Sequence, residues 1–440
     1  MTAPLNYSVE QQVLGLAKET TRLQAMAAPS SWVSTDNNAP FDFGVKLLED
    51  KAQRGIRAEW PSYPGIKTLT GKVNHPLRAN SIVHFLQMLF GAPVITEDTV
   101  NVVTSGNDKI DFTVSSTPYT ASLTPGSYAT GASNSDAGSF CALLQTALNA
   151  VLTGFTVTYS TTTRLFTIMH ASTAFVLNWK TGTNTANSAA PLLGATTADD
   201  SASGLSWSSP AQVSNRVFQH AFAPVMASTS LVLPVTYSFF WNSGQDVLVY
   251  NGVANKKLSL KIGNEGFVTH ESELIGISEV GGGSIGTPSF ADELEALSFE
   301  FASLSIGGAG YPDVKTLDID IDMGTIGKRP LNNTQLISDV IQPSRPKITG
   351  SFDIYFETET ERNKFLAVQT NYLTISILGN VLAGTTQDGL VITLPKIQYE
   401  AYPYSALDNL LAAKVKFKAV YDTVSSQIIT ATATNLTATI

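Results

Sequence analysis

The sequence predicts a mainly β chain in which a β-plus-helix unit occurs twice and a small α+β module interrupts the first copy. Three observations predict it. Short apolar runs with period-two alternation recur along most of the 440 residues. A Thr-Gly strand leading to a Phe-Leu helix appears in both halves. Between Val94 and Trp207 the composition shifts, with ten charged side chains and about a third of positions Ser or Thr.

In the first copy, FDFGVKLLED reads as a strand, followed by a loop from Glu49 to Ile66 and then PGIKTLTGKVNHPLRANSIVHFL from Pro64. The stripe Ile82, Phe85, Leu86 and Leu89 predicts a short helix, with Asn80 or Ser81 as N-cap and Gly91 as stop. The second copy matches it. VKTLDIDIDMG is the strand, Gly324 to Pro346 the loop, and PSRPKITGSFDIYFETETERNKFL carries Thr349-Gly350 and Phe365-Leu366. Thr358 and Glu361 form a capping-box pattern. Each copy then closes with a long two-strand stretch, from Tyr250 and from Leu394.

Within the module, DKIDFTV and YTASL alternate as strands. A helix follows in FCALLQTALNAVL, and FTVTYS, RLFTIMH and FVLNWK are three further short runs. The expected organisation is therefore residues 1–93 and 208–279 as a first, discontinuous unit and 94–207 as the module. A Gly-rich linker covers 280–290, a second unit 291–425, and a strand or arm 426–440.

Composition excludes several classes. The 36 acidic against 27 basic residues leave a net charge of −9, unsuited to a protein whose task is gripping nucleic acid. No apolar run reaches the roughly 18 residues of a membrane helix, and the start has no secretory-signal pattern. The single Cys141 forbids an internal disulfide and reads as a buried structural thiol. Gly281, Gly283 and Gly286 have dinucleotide-loop spacing, but Thr287-Pro288 follows where an apolar helix is required. The five histidines lie in separate segments without metal-ligand spacing. No catalytic residue, cofactor or metal is expected.

One run stands out. Period two places Asp318, Asp320 and Asp322 on one strand face and Leu317, Ile319, Ile321 and Met323 on the other. Like charges so close need water, cations or cross-strand lysines. Two readings stay open: a solvated strand face, or an acidic wall along an aqueous channel. Lys414, Lys416 and Lys418 form a basic row on a later strand.

VLGLAKETT (Val13 to Thr21), the Thr-Gly strand with its Phe-Leu helix, VKTLDIDIDMG followed by RPKITGSF, and the closing LPKIQYEAYP and KVKFKAVYD pair together resemble the major tail tube protein of long, non-contractile-tailed, siphovirus-like bacteriophages. The Ser/Thr-rich module is similar to a small domain inserted in various phage virion proteins. The resemblance implies β-sandwich or half-barrel units that close their sheets into an inner barrel, rings that stack through long loops, and a lumen through which DNA leaves the capsid. It implies as partners the chain itself, other tail proteins at the tube ends and viral DNA held transiently, with no membrane. Two units per chain predict a ring of three chains with pseudo-six-fold symmetry, a six-chain ring being the competitor. On this reading Asp318, Asp320 and Asp322, with Glu271 and Glu273 in the first copy, line the lumen. The lysine row is expected to be paired with acids or turned outward. Lys51, Arg54, Arg57 and Glu59 in one loop, and Lys328, Arg329, Asp339 and Arg345 in the other, are the expected stacking charges. A second reading is a receptor-binding or decoration protein whose module contacts carbohydrate, with Trp179 and Trp207 as stacking surfaces.

Overall fold

A computed structural model of the chain describes residues 13–35, 40–49, 61–195, 199–201, 205–213, 216–226, 232–242, 247–290, 294–311, 313–331 and 334–440. The strands used below are β1 Phe41–Leu48, β2 Tyr63–Pro76, β3 Val247–Ile262, β4 Thr269–Gly276, β5 Val314–Asp322, β6 Lys347–Tyr355, β7 Thr370–Ala383, β8 Thr386–Ala401, β9 Leu410–Ala419 and β10 Thr430–Asn435. The α-helices are α1 Ile82–Phe90, α2 Phe140–Val151 and α3 Thr360–Leu366. The chain is mainly β, as its alternating runs predict.

One antiparallel sheet runs β1-β2-β4-β3-β5-β6-β9-β8. Its first four strands come from the first copy and its last four from the second, in the same internal order. The registers also agree. Gly71 lies opposite Phe41 and Leu274, and Gly350 opposite Ile319 and Phe417. A β-bulge breaks β3 between Asn255 and Lys257 and breaks β8 at the equivalent place, between Tyr399 and Ala401. Matching bulges mark the two copies as one topology used twice.

The N-terminal halves of β3 and β8 carry a second set of strands. Val13–Lys18 pairs with Tyr237–Asn242, which pairs with β3; Ser278–Gly281 pairs with β3 from its other side. In the second copy Ala302–Ile306, β7 and β10 take the corresponding places around β8. Both sets bury their apolar sides in one core that includes Leu16, Phe239, Leu258, Ile319, Phe352, Ile375 and Phe417. That core runs through both copies.

α1 covers the first copy, with Ile82, Phe85, Leu86 and Leu89 buried. Gly91 ends it at φ +94°, a conformation that favours glycine, and its N–H reaches Gln87 O. α3 is shorter, and the expected capping box does not form. The Glu361 carboxylate turns inward, accepting from Tyr399 Oη and from Lys364 Nζ at 2.6 Å, so it is unavailable to the helix start.

The second long loop is more ordered than its sequence suggests. Ile326–Lys328 pairs with Asp339–Ile341, and Ile337 and Val340 bury against Ala254 of the first copy. The first loop lies largely outside the described residues. The Gly-rich stretch begins inside a strand, and Ile285 packs on Ala17, Phe240 and Val249. The tail is a strand: β10 lies between β8 and Phe218–Phe222, burying Ala431, Ala433 and Asn435.

The Ser/Thr-rich segment forms the expected short strands and α2 around its own core of Phe112, Phe140, Leu144, Phe155 and Phe166. Trp179 and Trp207 belong to that core, at 4% and 5% exposure. Where the segment joins the rest, Val94–Glu97 pairs with Phe218–Phe222, and Asp98 N donates to Val217 O.

Candidate functional site

The eight-strand sheet has one apolar face on the core and one polar face. Period two sets this division in β5 and the strands beside it, whereas β1 leaves Val45, Leu47 and Leu48 exposed. In β5, Leu317, Ile319, Ile321 and Met323 are buried, and the three aspartates occupy the other side. The register then brings together side chains far apart in sequence. One row across five strands reads Lys72, Glu273, Lys257, Asp322, Lys347, with the sign changing at each step. The next reads Asn74, Glu271, Ser259, Asp320, Thr349, Lys418.

Ion pairs follow. Lys72 Nζ lies 2.9 Å from Glu271 and 3.8 Å from Glu273. Lys257 Nζ lies 3.0 Å from Asp320, whose carboxylate also accepts from Ser259 Oγ. Lys418 Nζ lies 3.2 Å from Glu400. Glu271 beside it holds the Lys72 ammonium above its ordinary pKa. Partial desolvation raises the Asp318 carboxyl, against the pull of Lys414 and Lys261.

The five acids proposed from sequence therefore share one face, but the face is not an acidic wall. Lysines on the neighbouring strands interleave with them, and the Lys414, Lys416, Lys418 row lies on the same side, two strands from the aspartates. The alternation of Lys257, Ser259 and Lys261 with Leu258, Leu260 and Ile262 is plain in the sequence, but its seat beside β5 is not. Strand adjacency between the two copies is a long-range property that local alternation does not carry.

Of the stacking charges, Lys51, Arg54, Arg57 and Glu59 lie outside the described residues. Lys328 lies opposite Asp339 in the short hairpin, and both Lys328 and Arg345 are exposed. Asp339 is bound to Arg22, whose guanidinium also reaches Val340 O. Arg329 donates to Lys67 O at 2.7 Å and to Gln335 O at 3.2 Å, pinning this hairpin to β2.

No cluster of metal-ligating side chains occurs among the described residues. Cys141 is buried, and burial pushes its thiol up to about 12. His75 and His270 pack with ring centres 4.0 Å apart in the core under α1.

A family model described as phage tail tube protein matches residues 10–419, spanning both copies and the module. The chain belongs to the phage tail tube protein family. No curated protein matches it. A tail tube protein is a structural component of the virion tail that assembles with copies of itself and meets other tail proteins. Among the described residues, no helix is long and apolar enough to cross a membrane.

Proposed function

We propose that three chains close into a pseudo-six-fold ring, that rings stack into the tube of a siphovirus-like tail, and that the polar sheet face lines a bore through which the genome is ejected. The observation that carries this reading is the eight-strand sheet built from two equivalent halves. Three chains would supply a barrel of roughly 24 strands. At about 4.8 Å between strands and about 40° of tilt, its backbone cylinder is roughly 48 Å across. Side chains then leave a bore of about 30 Å, room for one duplex. Six chains contributing every strand would double the cylinder to roughly 95 Å. A six-chain ring with one copy as decoration is disfavoured because both copies lie hydrogen-bonded side by side in one sheet.

The conduit works passively and performs no catalysis. Each unpaired lysine on the wall would add a salt-sensitive phosphate contact. Here lysines face acids in the same rows, so the wall offers the duplex little net charge to grip. Residues 1–93 with 208–279, and 291–425, act as the two ring units. Residues 94–207 sit on the outside, and exposed Lys328 and Arg345 serve ring stacking. Assembly takes place in the host cytoplasm. The carbohydrate-binding alternative loses its stacking surfaces, since Trp179 and Trp207 are buried.

Negative-stain images of concentrated protein test the proposal. Hollow tubes of uniform bore, with end views showing six lobes from three chains, are expected. A soluble monomer at high concentration overturns it.

A further inference from the structure

Inside one chain the two copies are joined through β3 and β5, and each copy has strand edges equivalent to those that form this joint. The matching bulges set the equivalences: Lys257 corresponds to Ala401, Leu258 to Tyr402 and Leu260 to Tyr404. The registers against the Thr-Gly strands set the others: Ile319 corresponds to Phe41, Asp320 to Asp42, Ile321 to Phe43 and Asp322 to Gly44. Inside the chain, Lys257 to Ile262 pairs with Asp322 to Leu317. The equivalent edges stand open. Among the described residues, neither the outer side of β1 nor that of residues 402–407 pairs with another strand. Both carry exposed apolar side chains, including Leu47 and Leu48 on one and Tyr404 on the other.

Resting on the three-chain ring proposed above, we infer that residues 401–405 of one chain pair antiparallel with residues 40–44 of the next. Tyr402 lies opposite Phe43 and Tyr404 opposite Phe41.

Backbone direction supports this register independently. Pro403 O accepts from Lys414 N, so the hydrogen-bonding groups of residue 403 face β9 and those of 402 and 404 face outward. Pro40 O accepts from Lys72 N, so by the same alternation 41 and 43 face outward. The outward residues of one edge thus meet the outward residues of the other. Pro403 lacks an N–H on the side that needs none for this joint. The chemistry differs from that of the internal copy. Where Lys257 and Asp320 form an ion pair, the equivalent positions hold Ala401 and Asp42, and aromatic pairs replace Leu258–Ile321 and Leu260–Ile319.

Cysteine cross-linking of assembled protein tests the register. Ala401→Cys with Gly44→Cys, and separately Pro403→Cys with Asp42→Cys, place thiols at directly opposed, non-hydrogen-bonded positions, where Cα atoms approach within about 4.5 Å. Tubes that oxidise to covalent dimers and a closed species of three chains on a non-reducing gel uphold the joint. Ala401→Cys with Asp42→Cys is two residues out of step and is expected to stay monomeric on the gel. Tubes in which the shifted pair cross-links and both in-register pairs do not overturn the register while leaving the tube reading intact. Tubes in which no pair cross-links overturn the joint alone, and absence of tubes in the parent overturns both.

Discussion

Lys257 and Asp322 stand directly opposite one another on the two strands that join the halves of the chain, and each has a residue of the other sign on its far side, Glu273 for Lys257 and Lys347 for Asp322. The half-exposed pairs this row supports contribute little to stability, about 0–1 kcal/mol each. Their value lies in cancelling charge on the face. Replacing Asp318, Asp320 and Asp322 together by Asn removes the acids without setting lysine against lysine, and should leave the melting temperature within a few degrees. It should turn an indifferent wall into one that retains duplex DNA. Binding measured against salt should show a new, steep dependence, with log K falling as log salt rises.

The buried histidines make stability depend on pH. Burial depresses His270 well below 6.5, His84 to about 4 and His220 in the same direction. A group neutral when folded and protonated when unfolded gives stability that is complete above the unfolded pKa near 6.5 and lost as pH falls below it. Three such groups steepen the loss to at most about 4 kcal/mol per pH unit between roughly pH 6 and pH 4. Denaturant midpoints from pH 8 to pH 4 should be flat above 6.5 and fall below it. Among the described residues, neither ring nitrogen of His270 has a hydrogen-bond partner. His270→Leu should therefore cost little at pH 7 and make the acid slope shallower.

Gly71 and Gly350 are required for the same reason in both copies. A Cβ on Gly350 would meet Phe417 Cζ at 2.4 Å and Asp318 O at 2.6 Å; on Gly71 it would meet Phe41 Cδ1 at 2.5 Å and Pro40 O at 2.7 Å. An aromatic ring and a neighbouring backbone close over each glycine. Gly350→Ala and Gly71→Ala should each destabilise by about 1–3 kcal/mol, read as a lowered urea midpoint. An unchanged midpoint would show that the rings move aside.

Glu361 is a buried carboxylate of the second copy, 3% exposed, serving Tyr399 and Lys364. Glu361→Ala leaves Tyr399 Oη without its buried acceptor, while the partly exposed Lys364 can turn to solvent, and should cost about 1–3 kcal/mol. Glu361→Gln keeps an acceptor for Tyr399 and should recover part of that. Thermal melts of the two variants separate these outcomes.

The module should be dispensable for assembly. Its core is separate, and its entry and exit strands are already hydrogen-bonded neighbours at Asp98 and Val217. Replacing residues 99–216 with a short Gly-Ser turn should give tubes of unchanged bore and smaller outer diameter in negative stain. Failure of the shortened chain to form tubes while remaining folded would give the module a part in the ring.

Much of this fold is legible in the sequence because it is local. Alternation in LDIDIDMG and in KKLSLKI assigns the two faces of β5 and β3 residue by residue, and Thr70-Gly71 with Thr349-Gly350 reveals the repeat. The Phe-Leu resemblance is weaker in space: Phe85 and Leu86 are fully buried, whereas Leu366 is 59% exposed because α3 is shorter and turned by Glu361. What local pattern does not carry is adjacency. That β3 lies beside β5, and that lysines therefore interleave with the aspartates, depends on pairings between distant residues. The hairpin at Ile326 and Asp339 was likewise hidden, since its apolar residues bury against the first copy rather than each other.

Joining two copies in one polypeptide has a kinetic consequence. In the proposed ring, six separate units would form six seams, five by bimolecular encounter and the last by closure. With a tether of some tens of residues, half of those seams become intramolecular at an effective concentration of the order of millimolar. Subunit concentration then governs two encounters instead of five, so ring formation stays fast when the protein is scarce. The two kinds of seam are also free to drift apart in chemistry, one held by lysine and aspartate and the other by aromatic rings.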